Sequence, residues 1–227
     1  MKDIAIVTGG GTGLGFALAE ELLKLDLEVL ILGRRQAVLE QAYTALGERA
    51  FFAVGYVSDE TFVRKLYAGL QAHGKRVRYL FNCAGTGRFG APEQNTKSMI
   101  QEAFDASLIG LILMSSNALP YMQAGGTIVN IMSTAALRGK PKETIYCAAK
   151  WGARGFTEAL KEAVKGTAVN VIGVYPGGMN TDFWSPDCGA STDCSQFMDP
   201  RDVAETIVHA VRRRPGMTVS DLTIDRK

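Results

Sequence analysis

The stretch Ile4-Ala5-Ile6-Val7-Thr8-Gly9-Gly10-Gly11-Thr12-Gly13-Leu14-Gly15 constrains the fold of this chain more than any other. A short apolar run of strand type is cut off by a glycine-rich turn, and the apolar spacing of Leu14, Ala17, Leu18, Leu22 and Leu25 then follows a helical period. Strand, glycine turn and helix together present a helix N-terminus and bare backbone N–H groups, which suit a phosphate. The spacing is T-G-x-x-x-G-x-G rather than the common G-x-G-x-x-G, so by itself the turn also fits a flexible loop with no ligand.

The rest of the chain repeats the strand–helix alternation. Leu27 to Leu32 reads as a second strand ending at Gly33-Arg34-Arg35, Val38 to Leu46 as a helix, and Ala50 to Val57 as a third strand. Asp59 to Ala72 is helical in pattern, and Val77 to Phe81 is a strand running into Asn82-Cys83-Ala84-Gly85. After a polar loop, Met99, Ala103, Phe104, Leu108, Leu111 and Ile112 predict one long helix. Thr127 to Met132 is a strand ending at Ser133, and a helix carrying Tyr146 and Lys150 follows, continuing through Leu160. Ala168 to Val174 is a strand leading to Pro176-Gly177, Asp202 to Arg212 a helix, and Met217 to Ile224 a closing strand. Strands regularly separated by helices predict an α/β fold, a Rossmann-type doubly wound parallel sheet of about seven strands in a single domain over residues 1–227. The region of about 180–200, which lacks periodicity, reads as a short substrate lid or a solvated loop.

Composition removes several classes of function. A net charge of +2 gives no electrostatic case for nucleic acid or an anionic membrane. The apolar run Leu108 to Met114 is broken by glycine and too short to span a bilayer, and no signal segment precedes Ile4, so the cytoplasm is the expected location. Cys83, Cys147, Cys188 and Cys194 have no C-x-x-C spacing and the two histidines are isolated, so neither a disulfide framework nor a metal site is expected.

Tyr146 and Lys150 stand four residues apart, on one helix face. A free phenol ionises only near about pH 10, and a fixed positive charge beside it lowers that value and makes the tyrosine usable as a general acid or base. Ser133, at the end of a strand, would place a hydroxyl on the same reacting oxygen. Cys147 points about 100° away around the helix and reads as a packed residue. A lone Y-x-x-x-K would equally suit an ordinary amphipathic helix.

In this order, Thr8-Gly9-x-x-x-Gly13-x-Gly15, Asn82-Cys83-Ala84-Gly85, Ser133, Tyr146-x-x-x-Lys150 and Pro176-Gly177 with Thr181 resemble the short-chain dehydrogenase/reductase (SDR) family over essentially the whole chain. The resemblance implies carbonyl–alcohol interconversion by hydride transfer, with Tyr146 as proton donor or acceptor, Ser133 polarising the carbonyl and Lys150 holding the nicotinamide ribose. Cofactor contacts are then expected from Gly9, Gly11, Thr12, Gly13, Leu14 and Gly15 at the pyrophosphate. Val57, Asn82, Ala84 and Gly85 are expected near the adenosine, and Pro176, Gly177, Met179 and Thr181 near the nicotinamide. Where such folds usually carry an acidic residue for the adenosine ribose, this chain has Arg34 and Arg35, which suit a 2′-phosphate, so NADP is expected with NAD possible. Three positions depart from the family pattern: Cys83 in N-x-A-G, Tyr56 for an aspartate before Val57, and Ser107 for the asparagine that anchors a proton relay. The alternative reading is a catalytically weak dinucleotide-binding regulatory protein of the same fold. Phe89, Phe183, Trp184 and Phe197 favour an apolar or aromatic small-molecule carbonyl or alcohol as substrate. A homodimer or homotetramer is expected through the helices near Met99–Leu119 and Tyr146–Ala163, with Leu111, Ala153, Phe156 and Leu160 facing away from the sheet.

Overall fold

Alternation along each strand divides the apolar residues between two faces, and each face acquires its own core. The computed structural model describes residues 2–122, 125–185, 188–189, 192–212 and 217–226. Among them, β1 (Lys2–Thr8), β2 (Glu28–Gly33), β3 (Ala50–Val54), β4 (Lys75–Asn82), β5 (Gly126–Ile131), β6 (Val169–Pro176) and β7 (Asp221–Ile224) form one parallel sheet, ordered β3-β2-β1-β4-β5-β6-β7. Ala5, Val7, Val29, Ile31, Phe81 and Val129 face α1 (Gly13–Leu23), α2 (Gln36–Leu46) and α7 (Pro200–Val211). Ile4, Ile6, Leu30, Leu32, Leu80 and Ile128 face α3 (Glu60–Ala72), α5 (Gly110–Ala118) and α6 (Thr144–Ala163). Every residue of β5 is buried, as expected of a central parallel strand covered on both sides. The strand order reverses between β1 and β4, which opens a crevice at their carboxyl ends.

A buried polar chain fastens the two strands beside that crevice to the helices behind them. The Asn82 amide donates to Ser115 Oγ at 2.9 Å and to Asn130 Oδ1 at 2.8 Å, and the Asn130 amide donates to Thr157 Oγ1 at 2.9 Å. Thr157 in turn donates to the Ala153 carbonyl at 2.7 Å. This links β4, α5, β5 and α6 through groups cut off from water, where each hydrogen bond is costly to leave unmade.

Several expectations are corrected. The long helix is not continuous: α4 (Lys97–Phe104) passes through a π-helical turn, Asp105–Ile109, before α5 begins. Gly110 follows that turn because a Cβ there would lie 2.3 Å from Val57 Cγ2. By length and composition, 97–121 would pass for a membrane span, a test that core helices also meet; here Leu111, Met114 and Ala118 are buried within the protein. β3 stops at Val54 instead of Val57, because Gly55 turns the chain and donates its N–H to the Gly33 carbonyl at 2.9 Å. β7 begins only at Asp221. Leu111, Ala153 and Leu160 do not face outward; they are buried, and Phe156 is half-buried against the same cores. The exposed face of α6 carries Ala148, Trp151, Gly155 and Ala159 instead.

Replacing Asn130 by Ala strips Asn82 and Thr157 of a buried partner. The expected loss is on the order of 2–4 kcal/mol in urea unfolding, and an unchanged midpoint would show that the network adds nothing net.

Candidate active site

β1 ends at Thr8, whose hydroxyl accepts from the backbone N–H groups of Cys83 and Ala84 at 3.0 and 2.9 Å. This ties the glycine turn to the segment after β4. Gly9 sits at φ +66°, a conformation that favours glycine. A Cβ on Gly15 would lie 2.2 Å from the Gly9 carbonyl oxygen, so α1 can start this close to the strand only with glycine there. Thr12, the N-cap of α1, makes no side-chain cap bond, and the helix N-terminus opens into a cavity of about 1070 Å³.

Gly9, Gly11, Thr12, Gly13, Leu14 and Gly15 line the cavity at one end; Arg34, Arg35 and Val57 line its side wall. Ala84 and Gly85 form its floor together with Lys150, and Pro176, Gly177, Met179 and Thr181 close it beyond β6. Ser133 and Tyr146 line it as well. Two expected residues do not. Asn82 turns its side chain into the buried network, where it bonds Ser115 and Asn130 and positions β4. Ser107 is buried behind Gly85, in the π turn, with its Oγ lacking a hydrogen-bond partner among the described residues. A Cβ built on Gly85 would lie 3.3 Å from Ser107 Oγ and 3.5 Å from Lys150 Nζ, which places both groups behind the same patch of floor.

Ser133 follows β5 in extended backbone and caps the short turn Thr134–Ala136; its oxygen accepts from the Ala135 N–H at 3.1 Å, leaving its own hydrogen to donate. Lys150 is buried on α6 and donates to the Ile131 carbonyl, at the end of β5, at 2.9 Å. Its ammonium lies 5.7 Å from the centroid of the Tyr146 ring. The expectation that Lys150 lowers the Tyr146 pKa is not met in this arrangement. Burial pushes the phenol above its ordinary value, and the hydrogen bond with the Ser133 hydroxyl opposes that rise. Burial also lowers Lys150 to about 8, with Cys83 opposing. The spacing puts both side chains on one face, but the ammonium is directed to the strand-end carbonyl. Burial raises Cys83 to about 12, which leaves its thiol protonated and not nucleophilic at neutral pH.

Phe89 and Phe183 pack against Tyr146, with ring centroids 6.0 and 5.5 Å from it, and Trp184 stacks on Phe89 at 5.2 Å. Part of the segment expected to be a lid is therefore folded onto Tyr146; Pro186, Asp187, Ala190 and Ser191 lie outside the described residues. Sequence reasoning missed Thr8 as a strut, and missed Arg88, Glu102, Lys140 and Glu143 as cavity residues. Thr8 opens the glycine motif, but its brace to the segment after β4 has no sequence signal, and the other four stand in no motif.

A parallel sheet with a glycine cradle at its switch point and a serine, tyrosine and lysine at the end of β5 defines a dinucleotide-type oxidoreductase site. The family model for short chain dehydrogenase matches residues 3–188, and the chain belongs to that family. It is 31% identical over 240 residues to sepiapterin reductase of Chlorobaculum tepidum, covering 100% of this chain and 96% of the relative. Among solved structures, a short-chain dehydrogenase/reductase from Vibrio parahaemolyticus has a TM-score of 0.86 at 28% identity, covering 98% of this chain and 100% of that one. The closed form of serine dehydrogenase complexed with NADP+ has a TM-score of 0.89 at 26% identity, covering 97% and 94%.

The lowered Lys150 value has a consequence for stability. Between pH 8 and about 10.5 the unfolded chain binds more protons at this residue than the folded one, so stability rises with pH across that window. Urea unfolding at pH 7.5 and 9.5 should show the wild type gaining on the order of 2 kcal/mol relative to Lys150→Met over that interval. Parallel curves for the two proteins would mean that Lys150 is not depressed.

Proposed function

We propose that the chain is an NADP-preferring oxidoreductase interconverting a ketone or aldehyde and an alcohol. The observation that carries this reading is the meeting of Ser133, Tyr146 and Lys150 at the end of β5, across one cavity from the glycine cradle. The cradle fits a dinucleotide: its glycines leave no room for side chains, the α1 N-terminus lacks a side-chain cap, and Arg34 stands at the end of β2. The NADP+ complex of serine dehydrogenase supports the choice of cofactor. When bound, NADPH supplies the hydride.

The chain's own residues do the rest. Ser133 turns its hydroxyl hydrogen from Tyr146 to the substrate oxygen and donates there. Tyr146 is protonated at neutral pH, as a free phenol is, and burial raises its pKa further, so it is in the form that gives a proton to an oxygen gaining negative charge. Lys150 anchors α6 to the strand end and presents its ammonium to the ribose, and Ser107, with its unpaired oxygen, holds a water that leads protons toward Lys150. Phe183 and Trp184 exclude water and favour an apolar or aromatic substrate. The segment around 180–200 acts as the lid. In the alcohol-oxidising direction Tyr146 must lose its proton, so that activity rises toward alkaline pH while reduction holds across neutral pH.

The chain is further read as a homodimer or homotetramer joined through the outer face of α6, where Trp151 is 47% exposed among small residues. Trp151→Glu should shift the mass seen by light scattering to that of a monomer; a wild type that is already monomeric would exclude this assembly.

The reading is tested by following NADPH and NADH oxidation against a panel of aliphatic ketones, aromatic ketones, diketones and quinones. NADPH should be consumed faster than NADH, and fastest with aromatic or apolar carbonyls. Tight NADPH binding with no turnover of any member would leave the regulatory-protein reading in its place.

A further inference from the structure

We infer that Glu102 sets how strongly the protein discriminates between phosphorylated and unphosphorylated dinucleotides, by competing with the 2′-phosphate for Arg34. The inference rests on the proposed assignment of Arg34 to that phosphate. Three separate segments meet at this carboxylate on the cavity wall: Arg34 after β2, Arg88 in the loop after β4, and Glu102 itself on α4. One carboxylate oxygen of Glu102 accepts a hydrogen bond from Arg88 Nη2. The other lies 3.9 Å from Arg34 Nη1, close enough for ionic attraction and too far for a hydrogen bond.

The two contacts are unequal, and that asymmetry gives Glu102 its effect. The Arg88 side chain is 21% exposed and holds the carboxylate in place, whereas Arg34 is 49% exposed and only loosely engaged. The Arg34 guanidinium is steadied from another side by the Tyr56 ring, 5.9 Å away. A dianionic phosphate arriving at Arg34 therefore meets a guanidinium already partly neutralised, beside a carboxylate that Arg88 prevents from swinging clear. Asp105 adds negative charge on the same wall, its carboxylate accepting from the Gln101 amide at 2.9 Å. A neutral 2′-hydroxyl meets no such opposition. Arg34 thus favours the phosphate and Glu102 opposes it, and the balance leaves room for both cofactors.

The test is a set of dissociation constants for NADPH and NADH, from protein-fluorescence titration, for wild type, Glu102→Gln, Arg34→Ala and the double variant. Glutamine keeps the shape and can still accept from Arg88, so only the charge is removed. Glu102→Gln should tighten NADPH by about three- to tenfold and leave NADH within about twofold, and the gain should shrink at high salt. In the Arg34→Ala background most of the gain should disappear, because no guanidinium remains to be released. If Arg34→Ala lowers the preference for NADPH but Glu102→Gln leaves it unchanged, or weakens both cofactors alike, this inference is wrong and the reading of Arg34 stands. If Arg34→Ala leaves the preference unchanged, both fall together.

Discussion

The site depends on one buried hydrogen bond, from the Lys150 ammonium to the carbonyl of Ile131. A lysine taken out of water needs compensation, and here it comes from the end of the central strand β5. That bond sets where α6 lies along the sheet, and hence where Tyr146, one turn earlier, meets the cavity. Two residues beyond Ile131 the chain reaches Ser133. That contact joins the helix carrying Tyr146 and Lys150 to the strand that leads to Ser133. The Asn82–Asn130–Thr157 chain fixes the same helix and strand from below, so the geometry is held from both ends.

Across the cavity, the constraint is steric. α1 begins almost against the turn that precedes it, an approach Gly15 alone makes possible, and Thr8 braces that turn on the segment after β4. The cradle after β1 and the proton-transfer groups after β5 thus flank the end of β4, beside the point where the sheet order reverses. The fold supplies the site's position, and the side chains on the strand ends supply its chemistry.

Much of this was legible in the sequence because its signals are local. Glycines at a strand–helix junction, alternation within short apolar runs, and a four-residue Tyr–Lys spacing each report on a neighbourhood of a few residues. What failed depended on distant partners. Gly110, which follows the π turn at Ser107, packs against Val57, a residue more than fifty positions away that the local pattern does not report. The outward face assigned to α6 is rotated: Ala153, Phe156 and Leu160 pack into the cores, and Ala148, Trp151, Gly155 and Ala159 face outward. Spacing placed Lys150 beside Tyr146 but could not say which atom the ammonium would meet. Asn82 has hydrogen-bond partners 33 and 48 residues away and Glu102 one 14 residues away; the motif that contains Asn82 does not say where its side chain turns, and Glu102 stands in no motif.

The central claim is that Tyr146 delivers the proton at a site assembled by the Lys150 anchor. Its most direct test compares wild type and Tyr146→Phe on one carbonyl substrate, with NADPH binding measured separately. Phenylalanine keeps the ring packed against Phe89 and Phe183 and removes only the hydroxyl. The account predicts a fall in turnover of about 10²–10⁴-fold with NADPH affinity nearly unchanged. Equal turnover in the two proteins would contradict it.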